Sequence, residues 1–343
     1  MLHLAGGNGG TKDMRRFIRV ALIVLAGVLI VLGILACRLL SHPSITPYAS
    51  LELRSTAPAT GRLTARFFGT ATVVLDDGET AIMTDGFFSR PGKWQILTSK
   101  IGPDAARIDH ALSRANVGRL AAVLVAHSHY DHAMDSAAVA KRTGALLIGS
   151  ESTANIGRGE AFPEDRIRVV AGGESFTFGR FTVTIFKSPH SPGALFEGEI
   201  TGPLHTPARG SAYREGGNYS FLVEHGGRGV LIHPSANFIP GIFKTARADI
   251  VFLGVGVLGK QSDQFAEDYW REVVQATGAR LVLPIHWDDF TLPLDQPLTP
   301  MPPLMDQFDR GMQMVQRMAK RDAVAVRLMP LFESVDLLAA MGN

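Results

Sequence analysis

Six residues restrict this chain more than any others. His127-Ser128-His129-Tyr130-Asp131-His132 follow directly on Leu120 to Ala126, a continuous apolar run of strand length. Such runs belong to strands covered on both faces, so the polar cluster is delivered at the end of a buried strand. Three imidazoles and a carboxylate so close together repel one another or go unsatisfied unless something binds them. Packing alone does not account for them. In an extended stretch side chains alternate with a period of two, so His127 and His129 project to one side and can hold one ion. A turn after Tyr130 presents Asp131 and His132 to a second position, as in paired metal sites with ions about 3.5–4 Å apart.

The rest of the chain reads as strands interleaved with helices. Arg66 to Thr84 alternates in strand fashion around Asp77-Gly78, a two-residue hairpin signal, and closes at Asp85-Gly86. Asp135 as N-cap and Gly144 as C-terminal stop bracket a short helix that leads into the apolar strand Ala145 to Ile148. Glycine-broken strand pairs are expected at Ser175 to Phe186 and Tyr219 to Ile232. Ile250 to Val255 and Leu281 to Ile285 are further buried strands, separated by a helix carrying Phe265, Tyr269 and Val273. A last amphipathic helix carries Phe308, Met312, Val315 and Met318, whose methionines fill the core. This order predicts a layered α/β domain.

The chain has 343 residues and a single cysteine, Cys37, so any metal falls to His, Asp or Glu, with 11 histidines available. A net charge of +2 with dispersed basic residues gives no electrostatic footprint for nucleic acid.

His127-x-His129-x-Asp131-His132 matches at every position the His-x-His-x-Asp-His hallmark of the metallo-β-lactamase superfamily, which the chain resembles over roughly residues 61 to 330. The resemblance implies an αβ/βα four-layer sandwich, two sheets with helices on both outer faces and metals at one edge. It extends to His190 in Ser188-Pro189-His190 and to His286 in Pro284-Ile285-His286-Trp287. By that likeness His127, His129 and His190 form a first site, and Asp131, His132 and His286 a second, with one or two zinc ions. Ser235, in Val230 to Asn237, stands where the family carries a metal-bridging Asp. A neutral hydroxyl is the poorer ligand, so the second ion is expected to be held less tightly. The residues around Tyr130, with Thr84-Asp85 upstream, are similar to the lipid-phosphodiesterase and ascorbate-lactonase-like branches rather than to the cysteine-bearing antibiotic-hydrolysing one. Asp85 either orients a metal-binding histidine or caps the strand end. Tyr130 is read as lining the mouth of the site or as an ordinary loop tyrosine. His233 is read as a partly buried strand residue, Asp288 and Asp289 as solvated, and His205 and His225 as surface histidines. Thr201 to Gly217 is read as a loop over the site.

Val20 to Ala36 is 17 residues without a charge, behind Arg15, Arg16 and Arg19. That length is near the lower limit for crossing a bilayer as a helix, and the flanking charge places the N-terminus in the cytoplasm. The expected organisation is a cytoplasmic segment (1–16), a membrane anchor (17–40), an extended Pro-containing linker (41–60) and an extracytoplasmic domain (61–343), as in a bacterial inner-membrane protein. Ile34-Leu35-Ala36-Cys37 also resembles a lipoprotein box, which would make Cys37 a lipidated first residue, and a cleaved secretory signal is a further reading.

Zinc held by three imidazoles lowers the pKa of its water to about 7, and Asp131 is placed to orient the hydroxide or take its proton. The expectation is a hydrolase of an ester, lactone, amide or phosphodiester, acting on a small-molecule or lipid substrate. The alternative is a metal-binding envelope scaffold with weak catalysis. Redox chemistry at a di-iron version of the site is a third reading.

Overall fold

The computed structural model describes residues 9–56 and 61–342, with side chains from Met14 onward. Two seven-stranded sheets dominate it. From edge to edge the first runs Val335–Asp336, Thr64–Phe67, Val73–Asp76, Ala81–Thr84, Ala122–Leu124, Leu146–Gly149, Ile167–Val169. The second runs Ala325–Val326, Leu281–Ile285, Ile250–Gly254, Arg228–His233, Asn218–His225, Phe181–Ser188, Ser175–Phe178.

Alternation along the strands assigns the layers. In the first sheet Ala65, Phe67, Val73, Leu75, Ala122 and Leu124 join Phe181, Phe221 and Phe252 of the second sheet in the central core. Their neighbours Val74, Met83, Val123 and Val125 point the other way, into a second apolar cluster with Ile108, Val139 and Ile156 of the covering helices. The outer face of the second sheet is closed by Asp263–Trp270 and Phe308–Asp322, with Met312, Val315 and Met318 buried. Helix, sheet, sheet, helix is the four-layer order expected.

The strands Ala81–Thr84, Ala122–Leu124, Leu146–Gly149 and Ile167–Val169 run parallel in the first sheet, and Arg228–His233, Ile250–Gly254 and Leu281–Ile285 in the second. The carboxyl ends of Ala81–Thr84, Ala122–Leu124, Arg228–His233 and Leu281–Ile285 lead to Asp85, His127, Ser235 and His286, and that of Phe181–Ser188 leads to His190. Ligand sites form where such ends leave an α/β sheet.

A helix spans Gly9–Leu40, and its side chains from Met14 onward are exposed. The segment after it is not a free tether. Thr46–Leu51 forms a 3-10 helix, Tyr48 and Leu53 are buried in the central core, and Leu53 N–H donates to the Leu328 carbonyl at 2.9 Å. Proline and serine made this stretch look extended; Tyr48, whose hydroxyl donates to Asp309 Oδ1 at 2.9 Å, docks it. Residues 57–60 lie outside the described part.

Asp135 precedes Ser136–Thr143 and Gly144 ends that helix at φ 77°, yet the Asp135 carboxylate makes no cap bond. It accepts instead from Phe88 N–H at 2.8 Å and from Ser89 N–H and Oγ–H at 2.6 and 2.7 Å. His225 is buried rather than superficial, its Nε2 2.9 Å from Asp77 Oδ2. Thr201 to Gly217 does not roof the strand ends, because Ala208–Arg209 pairs with Lys100–Ile101 in a small separate ladder.

Candidate metal centre

His127 and His129 leave the end of Ala122–Leu124 in extended form, and Ser128 between them turns the opposite way, into hydroxyl contacts with Ser150 and Thr153 at 3.2 and 2.9 Å. The chain then enters the short helix Tyr130–Ala133, which swings Asp131 and His132 to an adjacent position. His190 follows the strand Phe181–Ser188 and His286 follows Leu281–Ile285.

These six side chains converge as two triads. His127, His129 and His190 offer ligand atoms within 4.8 Å of one another, and so do Asp131, His132 and His286. In the first triad the ring centroids are 4.6–4.8 Å apart and the rings stand nearly perpendicular, at 78–89°. In the second, His132 Nε2 and His286 Nε2 face each other at 3.1 Å, with Asp131 Oδ2 3.6 and 3.4 Å from them.

Hydrogen bonding behind the rings leaves these nitrogens aimed inward. Asp85 Oδ2 lies 2.8 Å from His132 Nδ1, while its Oδ1 accepts from Ala126 N–H at 2.8 Å, so it both orients the histidine and closes the strand end. Nδ1 of His190 donates to the Ser191 carbonyl at 2.9 Å. Both ring nitrogens of His127 and Nε2 of His129 are buried without a hydrogen-bond partner. Unpaired buried nitrogens carry a desolvation cost that a metal ion would relieve, so this donor set fits one.

Burial, reinforced by neighbouring imidazoles, holds His127 well below its ordinary pKa, and burial lowers His129 as well. Burial also brings His190 down to about 4. Neutral imidazoles are the form that binds metal. Burial pushes the Asp131 carboxyl up, but His132, His286 and His129 outweigh it and hold the group below the usual carboxylate range.

Ser235 is buried on the wall of the same cavity, its hydroxyl donating to Asn218 Oδ1 at 3.3 Å. Its neighbour His233 is excluded from ligation by its partners: Nδ1 meets Ser220 Oγ at 2.6 Å and Nε2 donates to the Asn237 carbonyl at 2.7 Å. His205 is exposed. Tyr130 lines the cavity.

Asp288 and Asp289 are not solvated. Asp288 is fully buried and pairs with equally buried Arg90 at 2.7 Å. Its other oxygen accepts from Thr70 N–H at 2.7 Å, and the Thr70 carbonyl accepts from His286 N–H at 2.6 Å. Arg90, Asp288 and Thr70 thus fix the backbone of a ligand candidate that sits at φ 57°, a left-handed conformation that costs about 1–3 kcal/mol outside glycine. Gly69 is required beside them, since a Cβ there would come within 2.0 Å of Arg90 Nη2. Asp289 accepts from Thr291 N–H at 2.9 Å and contacts His42 Nε2 at 2.8 Å. Nothing in the sequence marks Arg90 or Thr70 as partners of Asp288, because the network exists only through tertiary contact.

The triads open into a cavity of about 220 Å³. Its walls include Ser191 to Phe196, Val257, Phe290, Met301 and Met305, so the covering loop lies earlier in the chain than Thr201 to Gly217. Asp306 was unmarked in the sequence. It lines the same cavity, is buried with Oδ1 lacking a hydrogen-bond partner, and burial raises its pKa.

Residues 82–287, more than half of the chain, match the family model for the β-lactamase superfamily domain. Two curated relatives are named UPF0173 metal-dependent hydrolases. One, from Heliobacterium modesticaldum, is 26% identical over 65% of this chain and 82% of its own length. The other, from Symbiobacterium thermophilum, is 24% identical over 66% and 84%. Among solved structures the diiron β-hydroxylase CmlA of Streptomyces venezuelae shares the fold at TM-score 0.50 and 15% identity, over 82% of this chain and 55% of that one. The family match spans the strand of Ala81–Thr84, the hexapeptide, His190 and His286 together, and the chain belongs to the metallo-β-lactamase superfamily.

Proposed function

We propose that this chain is a metal-dependent hydrolase whose reaction centre is the pair of triads, with zinc as the expected ion. The observation that carries the reading is the convergence of buried His127 and His129 with half-buried His190, their rings nearly perpendicular and three ring nitrogens of the first two unpartnered. The names of the curated relatives support it. When bound, such an ion supplies Lewis acidity and a nucleophilic oxygen at neutral pH.

The chain's own groups do the rest. Asp131, held ionised by the histidines around it, presents Oδ2 as the acceptor for the proton of an attacking water. Asp306, a buried carboxyl on the cavity wall with Oδ1 unpartnered, is the group placed to exchange a proton with the leaving group. Asp85 fixes the tautomer of His132 so that Nε2 faces the second position. Ser191 to Phe196, Phe290 and Met305 narrow the opening and exclude water. The scissile group is an ester, lactone, amide or phosphodiester.

Ser235 makes the two positions unequal. A carboxylate there would offset one more positive charge between two ions, whereas its hydroxyl offsets none. The first triad therefore keeps its ion under mild chelation while the second loses its own, and stoichiometry approaches one. The test is metal analysis of the purified full chain with turnover of an ester, lactone and phosphodiester panel. His129→Ala lowers turnover by at least about 100-fold, since a lost imidazole opens a coordination position. Full activity in a metal-free sample, or in His129→Ala, refutes the reading.

A further inference from the structure

We infer that the mouth of this cavity is a membrane-docking surface, so that the site opens onto the bilayer that holds the N-terminal anchor and takes amphiphiles with an apolar tail. The choice of substrate class rests on the hydrolase reading above; the docking surface does not.

The anchor ends at the cavity rim. Leu39, in the last turn of Gly9–Leu40, gives its carbonyl to Leu304 N–H at 3.0 Å, and Leu304 adjoins the cavity-lining Met305. Leu39 is three residues beyond Ala36, where the uncharged run closes. At 1.5 Å per residue that is about 4–5 Å of helix rise, less than the roughly 5–8 Å thickness of one headgroup layer. The rim therefore sits at headgroup depth.

Its surface is suited to that position. Leu195, Phe196, Leu304 and Met305 are 69, 39, 54 and 56% exposed, although each is large and apolar. Leu195, Phe196 and Met305 line the cavity. A cluster of this kind around an opening marks an interaction surface rather than scattered surface residues. Lys260 lies at its flank, donating through Nζ to the Leu304 carbonyl at 3.0 Å, and suits an anionic headgroup. The inference holds for either form of anchor, because a lipid on Cys37 would begin two residues before Leu39.

The full chain in phosphatidylcholine nanodiscs tests it. Leu195→Trp and Leu304→Trp are compared with Arg180→Trp, each measured as the increment over the parent's own tryptophans. Arg180 is exposed in the turn that begins Phe181–Ser188, about 25 Å along that strand from the site end. Brominated lipid quenches the increments at 195 and 304 and spares that at 180. Increments at 195 and 304 quenched no more than the control overturn the docking surface. For the substrate class, a long-chain ester or phosphodiester is presented in the disc and a short-chain analogue in solution. Leu304→Asp lowers the ratio of the two turnovers by about tenfold, because a charge withdraws the rim from the lipid. An unchanged ratio overturns the class. No turnover of either substrate by the parent counts against the hydrolase reading alone, and quenching still decides the docking.

Discussion

Asp288 fixes the position of His286 through the backbone, by way of Thr70, and it neutralises Arg90 in a fully buried setting. Removing one member of such a pair is costlier than never having had it, because the other charge stays behind. Asp288→Ala is expected to destabilise the fold by about 3–5 kcal/mol, read as a drop in the urea midpoint, and to reduce metal retention at the Asp131, His132, His286 position more than at the other. Equal loss at both positions would show that the network supports the fold without steering His286. From the sequence, adjacent Asp288 and Asp289 look like solvated acids before a proline-rich stretch. Their burial depends on Arg90 and His42, distant in the chain, and no local pattern encodes that. The hexapeptide, by contrast, was legible as a candidate site because its polar side chains are neighbours in sequence.

At the scale of elements, Ser136–Thr143 has its stop in Gly144, as expected, while the residue placed as its cap serves another purpose. Asp135 ties the turn after Ala81–Thr84 to this helix through Phe88 and Ser89. Burial pushes its carboxyl up to about 6, from an ordinary value of 3.8. A folded pKa above the unfolded one means that the folded chain binds the extra proton. That contribution is therefore complete below about pH 4 and is lost as pH rises through about 6. The unfolding free energy of the parent relative to Asp135→Asn should fall by on the order of 2–3 kcal/mol between pH 4 and 7, measured by denaturant titration at each pH. A difference that grows with pH would mean that the three donors favour the anion more than burial opposes it. The linker reading failed at the same scale, since Pro43, Pro47 and Pro58 predict extension and cannot reveal that Tyr48 finds a core site beside Phe308.

Taken whole, a layered α/β domain was readable because buried strands announce themselves as apolar runs and helices by their spacing, while the four-layer order came only from the resemblance carried by the hexapeptide. The pairing of the two halves was not, because local periodicity does not say which sheet a strand joins. That partition has a mechanical consequence. His127, His129, Asp131 and His132 hang from the first sheet, whereas His190 and His286 hang from the second. Among the described residues no strand ladder links the two sheets; apolar contact between their faces is joined by single hydrogen bonds, such as His225 Nε2 to Asp77 Oδ2 at 2.9 Å and Tyr219 N–H to the Ala126 carbonyl at 2.8 Å. An ion bound in either triad is then a rivet through the seam, closing loops between distant parts of the chain much as a disulfide would. Chelation should lower the melting temperature, with a stabilisation of about 4 kcal/mol lost for an ion present at a thousand times its dissociation constant. Amide exchange should quicken first at Ala126 to His129 and Ile285 to Trp287, where the rivet sits, and later in the strand centres. A chain stripped of metal would be a sandwich free to part at one edge, with the core shared by its two sheets still holding the rest together.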